Sequence, residues 1–263
     1  MKKLNFQLHE TLAIVQARMS SSRLPGKVLL DIGGHPMLER VVCRARRARS
    51  ISQVVVATTV DPADDAVFDF CLSQGIPVFR GHPFDVLDRY YQAASLYQAQ
   101  SIVRLTADCP LMDGGEIDHV VGEFLAMGVD FAANRLPPPW KRTYPIGLDI
   151  EVCSFSALTR AWKEATLPFE REHVMPYFYD KAGRFTTVVI DHDPNYGDYR
   201  WTVDTPEDLD VVRRIYKHFN DCDDFSWLEV IKLFADNPEL ADVNRSVSAK
   251  QVDHFDARSG WEK

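Results

Sequence analysis

Residues 16–27 read QARMSSSRLPGK and combine three basic side chains, three serines, a proline and a glycine. Such a stretch cannot build a core, but it can hold an anion. Arg18, Arg23 and Lys27 neutralise negative charge. Ser20, Ser21 and Ser22 offer hydroxyls and backbone N–H groups, and Gly26 lets the backbone approach closely. A triphosphate suits this lining. The loop is neither the G-x-x-x-x-G-K-[ST] phosphate loop nor the G-x-G-x-x-G dinucleotide turn.

Two aspartates complete the set. Asp108 ends the apolar run SIVRLTAD, and Asp204 ends YRWTVD. Magnesium beside a triphosphate takes one or two carboxylates together with phosphate oxygens, and these two carboxylates are candidates for it. The plainer alternative is that each caps the helix that follows it.

These groups act together only if strands and helices bring them to one place. Strand-like runs occur at 11–17, 53–59, 76–80, 101–107, 129–134, 148–154, 185–191 and 199–203. The first five are β-branched and apolar on both faces, as parallel strands between two helix layers must be. Helical periodicity falls between strands at 36–48, 64–74, 85–100, 115–128, 155–165 and 205–219. A further helix is predicted at 169–182, with Pro176 kinking or dividing it. Thr205 is its expected N-cap in the helix at 205–219, with Pro206 in the first turn. This alternation predicts an α/β fold around a mostly parallel sheet with helices on both faces. In such sheets ligands bind beyond the carboxyl ends of the strands, where the loop and both aspartates fall.

Composition narrows the class. The chain has 263 residues, 46% of them hydrophobic, and a net charge of −8. An acidic chain with one basic loop suits a small anion and disfavours a nucleic-acid partner. The five cysteines, Cys43, Cys71, Cys109, Cys153 and Cys222, are widely spaced and form neither a disulfide framework nor a zinc knuckle. No run approaches the ~20 apolar residues of a membrane span. The expectation is a soluble, cytoplasmic protein with no membrane partner. A single domain is expected over 1–245, followed by a C-terminal tail at 246–263.

Three motifs, VQARMSSSRLPGKVL, RLTADCPL and WTVDTPEDL, in this order and at these separations, resemble the cytidylyltransferases that make CMP-activated sugars. These are the CMP-Kdo and CMP-acylneuraminate synthetases. RGHPFDVLDRYYQAA, YPIGLDIEV and EREHVMPY bring the chain nearer still to the spore-coat polysaccharide biosynthesis protein F branch. The resemblance runs from about 11 to 245. It implies a nucleotide-diphosphosugar transferase-type, Rossmann-like fold and transfer of CMP from CTP with release of pyrophosphate. By carry-over, Arg18, Ser21, Arg23 and Lys27 bind the CTP phosphates, and Asp108 and Asp204 hold Mg2+. Arg80 and Arg89 fall in the segment that lies near nucleotide or sugar acid in the family. In the Kdo synthetases Gln-Gly usually precedes the first metal aspartate; here Thr106-Ala107 stands there. A homodimer is the family habit.

The acceptor, a small sugar acid by resemblance, is expected to meet the later chain. The run 135–151 supplies Arg135, Lys141, Arg142, Tyr144, Asp149 and Glu151. The basic members could clamp an acid group and the acidic ones could bind hydroxyls. An acceptor and dimerisation region is placed within about 135–182. His173 is a further candidate for substrate contact, although its aromatic surroundings also suit a packed structural histidine. Two other classes stay open. One is a glycosyltransferase of related fold, which the missing D-x-D at ADCP counts against; the other is a non-catalytic nucleotide-binding relative.

Overall fold

The computed structural model describes residues 11–136 and 142–248. Its strands are β1 (Thr11–Gln16), β2 (Asp31–Ile32), β3 (His35–Pro36), β4 (Gln53–Thr59), β5 (Val78–Gly81), β6 (Ser101–Thr106), β7 (Phe131–Ala133), β8 (Glu151–Ser154) and β9 (Thr187–Val189). Its helices are α1 (Met37–Ala45), α2 (Asp65–Ser73), α3 (Val86–Leu96), α4 (Gly114–Met127), α5 (Phe155–Glu164), α6 (Pro168–His173), α7 (Pro176–Tyr179), α8 (Pro206–His218) and α9 (Trp227–Asp236).

Seven strands form one sheet in the order β5-β4-β1-β6-β8-β7-β9, and β2 pairs with β3 apart from it. All neighbours in the sheet are parallel except at β8, which runs antiparallel to both β6 and β7. The mostly parallel α/β fold expected from the sequence is what the chain adopts. β1 lies between β4 and β6, so the chain leaves β1 toward one edge and later returns to its other side. The crevice beyond the carboxyl ends of β1 and β6 is therefore the switch point where such sheets bind ligands.

The pleat divides the strand residues between two cores. Ala13, Val15, Val54, Val56, Val103 and Leu105 pack under α1, α2 and α4. Leu12, Ile14, Val55, Ala57 and Ile102 pack under α3, α5 and α7. This two-sided burial is why the strands read as continuous apolar runs. A third core gathers α8 and α9 around Trp201, Tyr144, Leu148 and Met37.

Local signals set most element ends. Thr205 caps α8 by accepting from the Asp208 N–H, and Asp208 closes a capping box. Pro176 divides the 169–182 run into α6 and α7. Three expectations change. Residues 199–203 form no strand; one bridge joins Ile146 to Arg200. The reason is a tight crossing: Trp201 and Thr202 N–H both donate to the Ile146 carbonyl (2.6 and 3.0 Å). Gly147, at φ 110°, makes room for it, since a Cβ there would lie 2.6 Å from the Thr202 nitrogen. The run 185–191 shortens to β9. Helix α9 was not read from the sequence, although Ser226 and Glu229 form a capping box at its start. Residues 249–263, most of the expected tail, lie outside the described residues, as do 137–141.

Candidate active site

The loop after β1 closes on itself. The Met19 carbonyl accepts from the Ser21 and Gly26 N–H groups (3.0 and 2.9 Å), and the Met19 N–H donates to Asp64 (2.6 Å). Gly26 takes φ 71°, a left-handed turn that lets the next residues enter a short 3-10 helix at Lys27–Leu29. The Ser21 hydroxyl accepts from the Leu24 N–H at 3.4 Å, Ser20 is half-buried and Ser22 is exposed.

That turn carries Lys27 inward, leaving it 8% exposed. Its Nζ donates to Asp108 (2.7 Å), Asp204 (2.9 Å) and the Val203 carbonyl (2.8 Å). Both aspartates that sequence reasoning placed on strand ends thus converge on one ammonium. Neither acts as the helix cap of the plainer reading. Asp113 caps α4 and Thr205 caps α8. Backbone bonds hold the two segments together: Val203 N–H to the Asp108 carbonyl at 2.8 Å, and Thr202 Oγ1 to the same oxygen at 3.2 Å. Asp204 also pairs with Arg23 and Arg200, each at 2.8 Å. Arg23 reaches the Ser248 carbonyl as well, at 3.0 Å.

The electrostatics are those of a neutralised cluster. Burial opposes every charge here, but the Asp108 and Asp204 charges outweigh it at Lys27 and raise its pKa. Lys27 in turn outweighs burial at Asp108 and Asp204 and holds both below the ordinary carboxylate range. Asp108 and Asp204 have no third His, Cys, Asp or Glu grouped with them for a metal ion among the described residues. Two carboxylates that already share one cation suit magnesium, whose remaining positions go to water and phosphate oxygens.

A second charged cluster stands on the α3 side of the sheet. Arg104 of β6 pairs with Glu151 across the register of β6 and β8. Asp149 takes Arg142 in a hydrogen-bonded pair and Arg135 at 3.4 Å. Burial raises the pKa of Asp149, but Arg135 and Arg142 outweigh that and lower it. Glu151 and Asp149 are thus engaged with arginines. Among the described residues, Nε of Arg104 has no hydrogen-bond partner, and Nε of Arg135 has the 3.4 Å ion pair with Asp149 and no hydrogen bond. Arg104 was not singled out from the sequence. The signal was present, since an arginine inside an apolar parallel strand is unusual.

Other sequence candidates fall elsewhere. Arg80 spends its guanidinium on the Thr59 and Asp61 carbonyls (2.7 and 3.1 Å) and on Asp65 (2.7 Å). Tyr144 is 1% exposed in the third core, its ring edge-on to His192 and tilted against Trp227. His173 ends α6, half-buried, before Val174, which is held at φ 69°. That conformation is strained for a β-branched residue. Arg89 is buried in the first half of α3. Lys141 lies outside the described residues.

Comparison with known proteins places the chain among cytidylyltransferases. Residues 12–234 match the family model described as cytidylyltransferase. A cytidylyltransferase from Leptospira borgpetersenii superposes with a TM-score of 0.83 at 32% identity, covering 92% of this chain and 99% of that one. The spore coat polysaccharide biosynthesis protein SpsF of Bacillus subtilis is 30% identical over 241 residues, 89% of this chain and 98% of its own. The 3-deoxy-manno-octulosonate cytidylyltransferase of Geobacter sulfurreducens is 40% identical over 109 residues, 41% of this chain and 43% of its own.

Proposed function

The chain belongs to the cytidylyltransferase family, and from that premise we propose that it transfers CMP from CTP to a sugar acid and releases pyrophosphate. The observation that carries the reading is the meeting of Lys27, Asp108 and Asp204 at the switch point, beside the loop of Arg18 and Arg23. A hydroxyl or acid oxygen of the acceptor attacks the α-phosphorus of CTP, and the bond to the β-phosphate oxygen breaks. Positioning and charge stabilisation supply most of the rate in such a transfer.

The residues divide the work. Arg18, Arg23, Lys27 and the N–H groups of Ser20, Ser21 and Ser22 hold the triphosphate. When nucleotide arrives, Lys27 exchanges carboxylate oxygens for phosphate oxygens and offsets the charge that grows on pyrophosphate. Asp108 and Asp204 would then hold Mg2+, which supplies charge neutralisation at the α-phosphate when bound. Asp204 is also placed to take the acceptor's proton. The acceptor's acid group goes to the cluster of Arg104, Arg135 and Arg142, whose ion-pair partners among the described residues are Asp149 and Glu151. The likeness to a spore coat polysaccharide biosynthesis protein favours a role in surface polysaccharide or glycoconjugate synthesis. A cytoplasmic homodimer is part of the proposal. Among the described residues no helix is long and apolar enough to cross a membrane.

The test is pyrophosphate release from a panel of nucleoside triphosphates, run with magnesium across a library of sugar acids. Release with CTP and a sugar acid is expected. Hydrolysis of a finished nucleotide sugar, with no pyrophosphate from any triphosphate, would overturn the reading.

A further inference from the structure

Asp204 divides its two oxygens among Lys27, Arg23 and Arg200, and these cations are not equally free to leave. Oδ1 accepts from Lys27 Nζ at 2.9 Å, while Oδ2 takes Arg23 and Arg200, each at 2.8 Å. Lys27 and Arg23 belong to the β1 loop, and the triphosphate draws on both. Arg200 comes from the other side, and its side chain is 7% exposed against 26% for Arg23.

Arg200 is anchored along its whole length. Its backbone bridges to Ile146, and its carbonyl accepts from the Asn244 side-chain amide at 3.0 Å. Its guanidinium grips Asp208 through Nε (2.9 Å) and Nη2 (3.2 Å), and the same Nη2 reaches on to Asp204. Asp208 is fully buried. It also accepts from the Asn244 amide at 2.9 Å and from the Asp204 and Thr205 N–H groups at 2.9 and 3.1 Å. A capping box alone needs only the bond from Thr205. Here Asp208 holds Asp204 twice over, by its backbone N–H and, through Arg200, by its carboxylate.

A carboxylate that gives up Lys27 and Arg23 to phosphate needs a partner that stays. A guanidinium held at two points by a buried carboxylate is such a partner, because its planar fork matches both oxygens. A metal-ligating carboxylate is in turn oriented by the groups that hydrogen-bond to it. With Oδ2 held by Arg200, Oδ1 is the oxygen that Lys27 vacates.

We propose that Arg200, anchored on Asp208, is a positioning residue for the transfer: it keeps the Asp204 carboxylate in place while the loop cations move to the nucleotide, so that Oδ1 can take Mg2+. This rests on the nucleotidyl-transfer reading, and it gives Arg200 no contact with nucleotide or acceptor.

The experiment titrates CTP into the full chain and into Arg200→Lys by calorimetry, with and without Mg2+, and melts both proteins. Lysine keeps the charge and loses the fork that reaches two carboxylates at once. Arg200→Lys should bind CTP without Mg2+ as the parent does, and the gain in CTP affinity that Mg2+ brings should fall about tenfold. An unchanged gain overturns the proposal whatever the melting temperature does, since an arginine that serves only the fold would move the melting temperature alone. An equal loss with and without Mg2+ also overturns it and would place Arg200 on the nucleotide. In an Asp204→Asn background the same substitution should take nothing further from the gain; a further loss overturns a role exerted through Asp204. Should Arg200→Lys fail to fold, Asn244→Ala loosens the same anchor from its far side. It should lower the gain several-fold with CTP affinity unchanged in the absence of Mg2+, and an unchanged gain overturns the proposal. A parent chain that binds CTP in neither condition overturns the nucleotidyl-transfer reading itself, a result distinct from a parent and variant with equal gains.

Discussion

Buried arginines on the two faces of the sheet are treated in opposite ways. Under α1, Arg44 donates to three carbonyls, those of Met112 (2.7 Å), Asp223 (2.9 Å) and Phe225 (3.0 Å). Arg40 donates to the Ile32 and Gly33 carbonyls and pairs with Asp223, at 3.0, 2.8 and 3.0 Å. Their guanidiniums lie over Phe225 and Tyr216. All three nitrogens of each are satisfied, and together they fasten the segment between α8 and α9 to α1. Under α3 and beside it, Arg89 and Arg104 each leave Nε buried with no hydrogen-bond partner among the described residues, and Arg135 Nε has only the longer 3.4 Å ion pair with Asp149 there. Residue type is alike in the two sets, although Arg104 and Arg135 are half-buried where Arg40, Arg44 and Arg89 are buried; what also differs is how many acceptors the protein supplies. A complete set of acceptors marks an arginine used for folding. An incomplete set leaves an N–H able to take a further acceptor.

The contrast can be broken from several sides. The largest effect is expected at the carboxylates that organise the site. Asp108→Ala should lower pyrophosphate release by roughly two to three orders of magnitude, while the melting temperature stays close to the parent's. Unchanged turnover would remove Asp108 from the site. Arg44→Met should be the mirror image. It strands three buried carbonyls and should cost about 3–5 kcal/mol of stability in urea unfolding; a loss under 1 kcal/mol would mean that satisfied nitrogens are a poor guide to scaffold arginines.

A carboxyl tests the same principle with the charge reversed. Glu116 is buried beside Tyr144 with one oxygen unpartnered, and burial pushes its pKa up to about 7. Folding raises this pKa above the unfolded value of 4.5, so the folded chain holds the proton more tightly. Its stabilising share is fully present below pH 4.5 and declines as the pH rises to about 7, by about 3 kcal/mol in all. Glu116→Gln should flatten that part of the stability profile; a variant as pH-dependent as the parent would show that Glu116 ionises freely. The smallest effect belongs to the exposed pair of Arg214 and Asp210, one turn apart on α8 at 2.7 Å. Arg214→Ala should cost under about 0.5 kcal/mol in the same unfolding assay. A larger cost would show that exposure does not separate weak pairs from strong ones here.

Much of this was legible in the chain. The runs at 11–17, 53–59 and 101–107 are apolar at successive positions, and only a strand between two helix layers reads that way. Thr205-Pro206 announces α8, and Pro176 announces the break between α6 and α7. Arg18, Lys27 and Asp108 follow from their places after strands, whereas Asp204 was picked out by a strand at 199–203 that does not form. The missed helix α9 had its signal, a capping box followed by amphipathic spacing. Arg104 is a different case. Its sequence position shows an arginine in a strand, but its partner Glu151 comes from a strand whose reversed direction no local pattern reveals. The candidates at 135–151 likewise shared a run of sequence yet separate in space, Tyr144 into the third core and Asp149 into the arginine cluster.

The sequence by itself determined the layers of the fold, the chemistry of the β1 loop and the place of Asp108 just after β6. These depend on periodicity, on capping and on residue type, all of which act over a few neighbouring residues. Only the tertiary structure decided that Lys27 meets aspartates 81 and 177 residues away on one ammonium, that β8 enters the sheet reversed, and which arginines receive a full set of acceptors. Those outcomes turn on which distant groups are already engaged, and engagement is a property of the whole packed chain.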